Sequence, residues 1–589
     1  MSAIVVGEIT ADGSTIILIG QGPGEVLAGF AQRMQLLTPL VKNTEPRGGL
    51  QLPASWPAVV QLANALGAAW RPGPALTAWI TDQVARRVAP PAELAVTPPP
   101  GLVPRSYQVE GACMIGANGR ALLFDDPRTG KTITTILGLV ERAAAGHPVT
   151  PAVVVCPASV VDSWVRHFRA WAPRWTAHAW RGTNRQRLAG AADVYVTSYE
   201  TARRDAPTTQ LRRAPLLALR PNGLIVDECH RIKDPSASQT QAVGRLADRV
   251  QAFVALSGTP ITHHPGNLIP ALQGLEPVAW PSGERWKSRY CLTVQGDYSA
   301  TVLGLNPITE PEFRTTILGR HRRVARADVI DEVPKSYVLR TVDIPEPWRT
   351  AYDDLEANML ATLPDGSELS VMDTLSQLSL LLQLACAPAD MEITTEIVAD
   401  PETGLPMEKQ HRHAILKAPS WKVDALLEVM AEREGYAFAA FAPSRQLMML
   451  AGAAAAAKGY RVGYVVGEQT AKQRTAYVDA FQARELDLLC CTTGAGGVGL
   501  TLSAADALVF LARPWSFVES KQAEDRAEGD ASKTRGTEIV DIVARNTVES
   551  RVRKILKERA GQLSDLLKDP RIVAEVLGGA SVRDLRRAS

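Results

Sequence analysis

Two groups of residues in this chain have the types and spacing to handle a polyphosphate. The first, Phe124-Asp125-Asp126-Pro127-Arg128-Thr129-Gly130-Lys131-Thr132, follows a short apolar run and opens a helical stretch from Ile133 to Arg142. Between a strand and a helix, such a loop offers phosphate oxygens a series of backbone N–H groups and the positive end of the helix. Lys131 can neutralise the charge on the terminal phosphates, and the Thr132 hydroxyl can take a position on magnesium. Asp125 stands where the common form GxxxxGK[ST] has its first glycine, so taken alone the loop is also compatible with an ordinary helix cap. The second group is Leu224-Ile225-Val226-Asp227-Glu228-Cys229-His230, two carboxylates directly after an apolar strand. Magnesium takes hard oxygen ligands and keeps several waters, which suits Asp227. Glu228 can polarise a water for attack on a terminal phosphoryl group, a task of positioning and electrostatics. An isolated Asp-Glu pair reads as a solvated strand end. After a phosphate loop, in this order, it reads as a hydrolytic site.

Groups placed in this way need strand ends to hold them, and two regions have that rhythm: short β-branched runs, each followed by an amphipathic helical stretch. In the first region the runs are 121–124, 152–156, 194–197, 223–226 and 253–256; in the second, 437–441, 462–466, 486–491, 507–511 and 539–543. Such apolar runs imply parallel sheets covered on both faces, whose ligands sit beyond the carboxyl ends of the strands. The fold class expected is therefore α/β, with two parallel-sheet lobes, helical insertions and a small α+β module in front. The module covers residues 1–95, has an amphipathic stretch from Trp56 to Leu66, and ends at the Pro-rich linker Thr97-Pro98-Pro99-Pro100-Gly101. Lobe 1 is placed at 96–345, with a helical insertion over about 265–340. Lobe 2 is placed at 346–560, with a helical insertion over about 346–430, and 561–589 is a helical brace or tail.

With 589 residues, 46% hydrophobic and 21% charged, the chain lies in the range of multidomain globular proteins. Its 64 basic and 62 acidic residues leave a net charge of +2, so nucleic-acid binding requires a local basic face rather than a polycationic whole. Seven scattered cysteines give neither a disulfide framework nor a CxxC metal pattern, which fits a reducing cytoplasm. No apolar run approaches the roughly 18 residues of a spanning helix, so no membrane is expected.

Gly130-Lys131-Thr132 read with Asp227-Glu228-Cys229-His230 resembles a superfamily 2 helicase-type motor. The residues that follow narrow the likeness to SWI/SNF-type translocases, over roughly residues 100 to 560. Arg105-Ser106-Tyr107-Gln108 resembles the Q motif, and Val155-Cys156-Pro157-Ala158-Ser159 with Trp164 resembles motif Ia. Val196-Thr197-Ser198-Tyr199-Glu200 resembles Ib, His230-Arg231-Ile232-Lys233 the group's extension of motif II, and Leu256-Ser257-Gly258-Thr259-Pro260-Ile261 motif III. In the second region Gly467, Arg474 and Phe481 match the spacing near motif IV. Thr493 to Leu500 resembles motif V, and Gln522-Ala523-Glu524-Asp525-Arg526 the start of motif VI.

The resemblance implies two tandem RecA-like lobes that close on ATP with Mg2+. It places Arg105, Gln108, Arg128, Thr129, Gly130, Lys131, Thr132 and Gly499 around the nucleotide, and Thr132 and Asp227 on the metal. Glu228, Lys131, Arg526 and Gln522 become the catalytic set, and Ser257, Thr259 and His230 couple the ATP site to DNA. Pro157, Ser159, Thr197, Ser198, Thr493 and Gly494 contact the phosphate backbone of double-stranded or forked DNA. A motor that must cross every sequence is suited by such contacts. A compact chain of this kind suits the cytoplasm of a bacterium or of a phage-infected cell.

Two positions depart from the family pattern. Arg128 stands where relatives carry glycine, and Glu528-Gly529 stands where the second of two motif VI arginines is expected. Either hydrolysis is slow, or Arg535 or Arg545 substitutes. Two rival readings stay open: an RNA-directed superfamily 2 helicase, which the extension through Lys233 argues against, and an ATP-gated DNA clamp with little turnover. Trp70 and Trp79 are either core aromatics or part of a DNA-structure-recognising module of the kind found ahead of annealing-type relatives. Arg320, Arg322, Arg323 and Arg326 are either a solvated helix or a DNA-facing protrusion. Glu549 to Leu567 is expected to be a helix bracing the lobes.

Overall fold

The computed structural model describes residues 4–21, 41–43, 49–88, 92–207, 214–258, 265–280, 283–295, 300–317, 319–329, 335–358, 360–362, 368–370, 374–399, 406–467, 469–496, 502–514, 517–527 and 536–551. It divides into two compact units, Met1–Ile330 and Asp331–Ser589.

Unit 1 begins with a five-stranded sheet made of β1 (Ile4–Ile9), β2 (Thr15–Gln21), β3 (Val41–Asn43), β4 (Gly49–Pro53) and β5 (Trp70–Pro72), in the order β3-β4-β2-β1-β5. The helix Trp56–Leu66, capped by the Ser55 side chain on Ala58 N, packs Val59, Leu62 and Leu66 against Val5, Ile16, Leu18 and Trp70. Trp70 is thus a core residue, and Trp79 is half-buried against the same cluster. The module is anchored to the rest of unit 1: Trp56 Nε1 donates to Thr315 O at 2.8 Å, and Asn64 Nδ2 to Glu312 Oε2 at 3.1 Å.

The main sheet of unit 1 contains β6 (Arg120–Leu123), β7 (Ala152–Cys156), β8 (Ala177–Ala179), β9 (Val194–Ser198), β10 (Gly223–Asp227) and β11 (Ala252–Leu256). After a hairpin of β12 (Cys291–Gln295) and β13 (Ala300–Leu305), the chain returns as β14 (His321–Arg322). The order is β14-β6-β11-β10-β7-β9-β8, parallel throughout. Successive residues point to opposite faces. Leu122, Val153, Val155, Leu224 and Val226 enter one core, and Ala121, Leu123, Val154 and Ile225 the other. All five expected strands are present. β8 and β14, at three and two residues, are too short to show a period.

Unit 2 is built on β15 (Lys335–Val342), followed by the hairpins β16 (Leu360–Thr362)/β17 (Glu368–Ser370) and β18 (Ala389–Ala399)/β19 (Pro406–Leu416). Then come β20 (Phe438–Ala442), β21 (Val462–Val465), β22 (Leu488–Thr492), β23 (Ala507–Phe510) and β24 (Thr537–Ala544). The sheet order is β15-β24-β23-β20-β22-β21, again parallel. Because β15 pairs with β24 over its whole length, the expected lobe boundary after residue 345 moves back to 330. The insertions are also not simply helical: helices such as Glu310–Thr316, Trp348–Asn358 and Thr374–Leu384 alternate with the three hairpins. The expected brace from Glu549 to Leu567 lies outside the described residues after 551. Among the described residues no helix is long and apolar enough to cross a membrane.

Candidate active site

Because the strands of unit 1 are parallel, the carboxyl ends of β6, β11, β10, β7 and β9 share one edge, and the residues expected to do chemistry follow directly on those ends. The phosphate loop follows β6 and enters the helix Lys131–Ala144 through Gly130, which sits at φ 82°. Only glycine fits there, because a methyl group would lie 2.3 Å from Gln108 Nε2. Gln108, at 6% exposure, grips the loop from behind: its Nε2 donates to Thr129 O at 3.0 Å, and its Oε1 accepts from Arg105 N at 2.9 Å. Thr129 is buried and donates to Asp126 O at 2.9 Å. Arg128 adopts φ 65°, the left-handed backbone that glycine takes without strain, and so keeps the shape of the loop despite its side chain. Arg105 is exposed at the N-cap of the helix Ser106–Asn118.

Lys131 lies along its own loop, with Nζ donating to the carbonyls of Asp125 at 2.8 Å and Asp126 at 3.0 Å. Burial pulls its ammonium below the ordinary value, while the charges of Glu228 and Asp227 oppose that shift. Among the described residues, the Thr132 hydroxyl has no protein hydrogen-bond partner.

The acidic pair stands at the end of β10. Trp164, from the helix Val161–Trp171, donates its indole N–H to Asp227 Oδ2 at 2.8 Å. Tyr199 donates to Asp227 O at 2.6 Å. Asp227 is pushed up to about 6, by burial first and by Glu228 next, with the Trp164 N–H pulling the other way. Glu228 takes φ 53°, a conformation costing about 1–3 kcal/mol of the kind that collects at functional sites. His230 Nδ1 lies 3.3 Å from Glu228 Oε2 and 3.1 Å from Ser257 Oγ at the end of β11, so the imidazole links the acid to the next strand. Thr132 and Asp227 supply a hydroxyl and a carboxylate, the donor types magnesium prefers, and so fit the expected metal.

The residues expected to touch DNA separate into two classes. Ser159 and Gly494 are exposed beyond β7 and β22, Pro157 is buried beneath Ser159, and the Ser198 hydroxyl accepts from Thr201 N at 3.2 Å to cap the helix Tyr199–Asp205. Thr197 is fully buried and donates to Trp180 O at 3.1 Å, and Thr493 is 4% exposed, which leaves their main chain as the part that could meet a ligand. The basic run near 320 is not a helix: His321–Arg322 form β14, the edge strand beside β6, Arg323 is exposed, and Arg326 opens the turn Arg326–Asp328.

In unit 2, Arg526 lies in the turn Asp525–Ala527 after the helix Phe517–Glu524, and its carbonyl accepts from Leu502 N at 2.8 Å. The helix is held by Arg513, which was not singled out in the sequence. Arg513 Nε donates to Asp541 Oδ1 at 2.6 Å, Nη1 donates to Ser520 Oγ at 2.6 Å and pairs with Glu524, and the head lies 4.0 Å over the Phe510 ring. Tyr337 OH donates to Glu524 Oε2 at 3.3 Å, and Lys335 Nζ lies 3.4 Å from Asp525 Oδ1, so β15 secures the same helix. Arg545 donates to Asp343 Oδ2 at 2.9 Å and to Thr341 Oγ1 at 3.0 Å. Thr259, Gly499, Gly529, Arg535 and the side chain of Gln522 lie outside the described residues.

Residues 105–389 match the family model for the SNF2-related domain, and residues 421–528 match that for the helicase conserved C-terminal domain. Over 468 residues the chain is 25% identical to the Drosophila melanogaster SWI/SNF-related matrix-associated actin-dependent regulator of chromatin subfamily A-like protein 1, covering 78% of this chain and 55% of that protein. It is 23% identical over 466 residues to the Bacillus subtilis (strain 168) protein YwqA, covering 77% of this chain and 47% of that protein. The chain thus spans about half the length of these curated relatives. A solved Sulfolobus solfataricus SWI2/SNF2 ATPase core in complex with dsDNA is similar at 20% identity and a TM-score of 0.37, covering 83% of this chain and 97% of that one.

Proposed function

This chain belongs to the SNF2-related, SWI/SNF-type branch of the superfamily 2 helicase-like ATPases, and on that premise we propose that it hydrolyses ATP to drive movement along double-stranded DNA. The observation that carries the proposal is the convergence, at one sheet edge, of the Lys131 loop, Asp227-Glu228 and the His230–Ser257 link. Lys131 and the N–H groups at the start of its helix bind the β- and γ-phosphates, with Gln108 keeping the loop in shape. Thr132 and Asp227 would hold magnesium, which would offset charge on the phosphate oxygens. Glu228 orients a water at the γ-phosphorus and accepts its proton: the water oxygen forms the new bond, and the bond to the β–γ bridging oxygen breaks, leaving ADP and phosphate. Trp164 and Tyr199 fix the strand end from which both carboxylates project. Arg526 is the arginine finger, and Ser257, with His230, passes the state of the γ-phosphate to the strand beside it. Ser159, Ser198 and Gly494 meet the DNA backbone. Double-stranded or forked DNA as the track, and a cytoplasmic site of action, belong to the same proposal; the seven free, buried cysteines support the second of these, since a reducing compartment keeps thiols unpaired.

Turnover measured with duplex DNA, forked DNA, single-stranded DNA and RNA tests this reading. Duplex DNA is expected to stimulate hydrolysis and RNA is not, with stimulation falling steeply as salt rises. Lys131→Ala and Glu228→Gln are each expected to remove the activity. Turnover indifferent to every nucleic acid would sink the motor, and ATP-tightened DNA binding with background turnover would favour the clamp, a reading supported by Gly529 in place of a second arginine.

A further inference from the structure

The most basic segment of the sequence plays no part in the proposed reaction, yet it is built into the phosphate loop. Its start is pinned by Arg320, which pairs with Glu276, the same carboxylate that lies 3.6 Å from Arg87 Nη2 of the N-terminal module. From there β14 runs parallel to β6, and the pairing continues past the end of the strand. Leu122 N donates to Arg320 O at 2.7 Å, Phe124 N to Arg322 O at 2.8 Å and Asp126 N to Val324 O at 3.0 Å. The two carboxylates return the contact: Val324 N donates to Asp125 Oδ1 at 2.9 Å, and Arg326 N to Asp126 Oδ2 at 3.1 Å. The first half of the loop is therefore templated by a segment about two hundred residues later in the chain.

Arg322 adds a buried charge to this arrangement. Its Nε lies 3.6 Å from Asp125 Oδ1, with the two side chains 11% and 1% exposed. Its head is enclosed against the helix Ser106–Asn118, where a methyl group at Gly111 would lie 2.5 Å from Nη1. Arg322 Nη1 and Nη2 and Asp125 Oδ2 are all buried with no hydrogen-bond partner among the described residues. As a source of stability such a pair is poor, because desolvating both ions offsets their attraction. What it supplies is a fixed place for Asp125. On the opposite side of the same two residues, the main-chain carbonyls hold Lys131 Nζ.

We infer that Arg322, acting with the β14 backbone, is a positioning residue for ATP binding: it holds Asp125-Asp126, and through their carbonyls Lys131, in the arrangement from which the loop receives the nucleotide. The inference rests on the reading of Gly130-Lys131-Thr132 as the ATP site. Its test uses the full chain carrying Arg322→Met, Asp125→Asn or both, in a Glu228→Gln background, with the dissociation constant of Mg-ATP and the melting temperature measured side by side. Each single variant is expected to weaken ATP binding by about tenfold, and the double variant no more than the weaker-binding single, because both changes sever one link. In the active chain KM for ATP is expected to rise by a similar factor while kcat at saturating ATP changes little. Arg322→Lys, which keeps the charge but lacks the planar head, is expected to show the same KM rise if Arg322→Met fails to fold. Wild-type affinity in the variants, defects that multiply in the double variant, or losses that track only a lowered melting temperature would each overturn the role of Arg322. Lys131→Ala separates the two levels. If it binds ATP as tightly as wild type, the ATP-site reading falls; if it loses binding while Arg322→Met and Asp125→Asn keep it, only the positioning role falls.

Discussion

The two units carry the same kind of sheet but hold their candidate site residues differently. In unit 1 the supporting groups reach the site residues themselves: Trp164 bonds to Asp227, Gln108 to Thr129, His230 to Ser257 while lying 3.3 Å from Glu228, and the segment after β14 to Asp125 and Asp126. In unit 2 the supporting groups reach the element that carries the reacting residue: Arg513, Tyr337 and Lys335 grip the helix Phe517–Glu524 and the turn behind Arg526. The contrast suits two tasks. A binding site gains from a preformed first layer of contacts. A charge that must act at one step of a cycle gains from being mounted on a firmly held arm.

Four substitutions test that division, taken from the largest expected effect downwards. Arg526→Ala removes the charge on the arm, and DNA-stimulated kcat is expected to fall by about 10³-fold or more with ATP affinity nearly unchanged, read by steady-state turnover and nucleotide titration. Arg513→Met keeps Arg526 but loosens its mount. A fall in kcat of roughly 10–100-fold, again without weaker ATP binding, is expected, and a change in affinity alone would place Arg513 with the binding groups instead.

Trp164→Phe sharpens the comparison in unit 1. The lost N–H stabilises the ionised form of Asp227, so the carboxyl, already pushed up to about 6, rises further. The acid side of the kcat/KM profile is therefore expected to move to higher pH, with activity near pH 8 less affected than activity near pH 6, as a pH–rate series reads. Arg545→Ala is the smallest change. Its partner Asp343 is 71% exposed, so a turnover within about twofold of wild type is expected, whereas a large loss would make Arg545 the substitute for the arginine missing at Gly529.

Much of this arrangement was legible in the sequence because it is local. Gly130-Lys131-Thr132 sits between a strand and a helix, Asp227-Glu228 ends an apolar run, and the ten expected strands are all present with ends within two residues. What was not legible was non-local. Thr197 and Thr493 belong to stretches that resemble DNA-contacting motifs, and both side chains are buried, in or just after strands that are covered on both faces. The arginines from 320 to 326 carry no period of their own, so their composition alone fitted a solvated helix equally well.

The sequence by itself determined which residues could meet a polyphosphate, since parallel strands bring their carboxyl ends to one edge whatever lies between them. Only the tertiary structure decided what steadies those residues. The pairs Arg322–Asp125, Trp164–Asp227 and Arg513–Asp541 join positions far apart in the chain. Spacing along a sequence fixes a face of one strand or helix, but not the distant charge or indole that packing will bring against it.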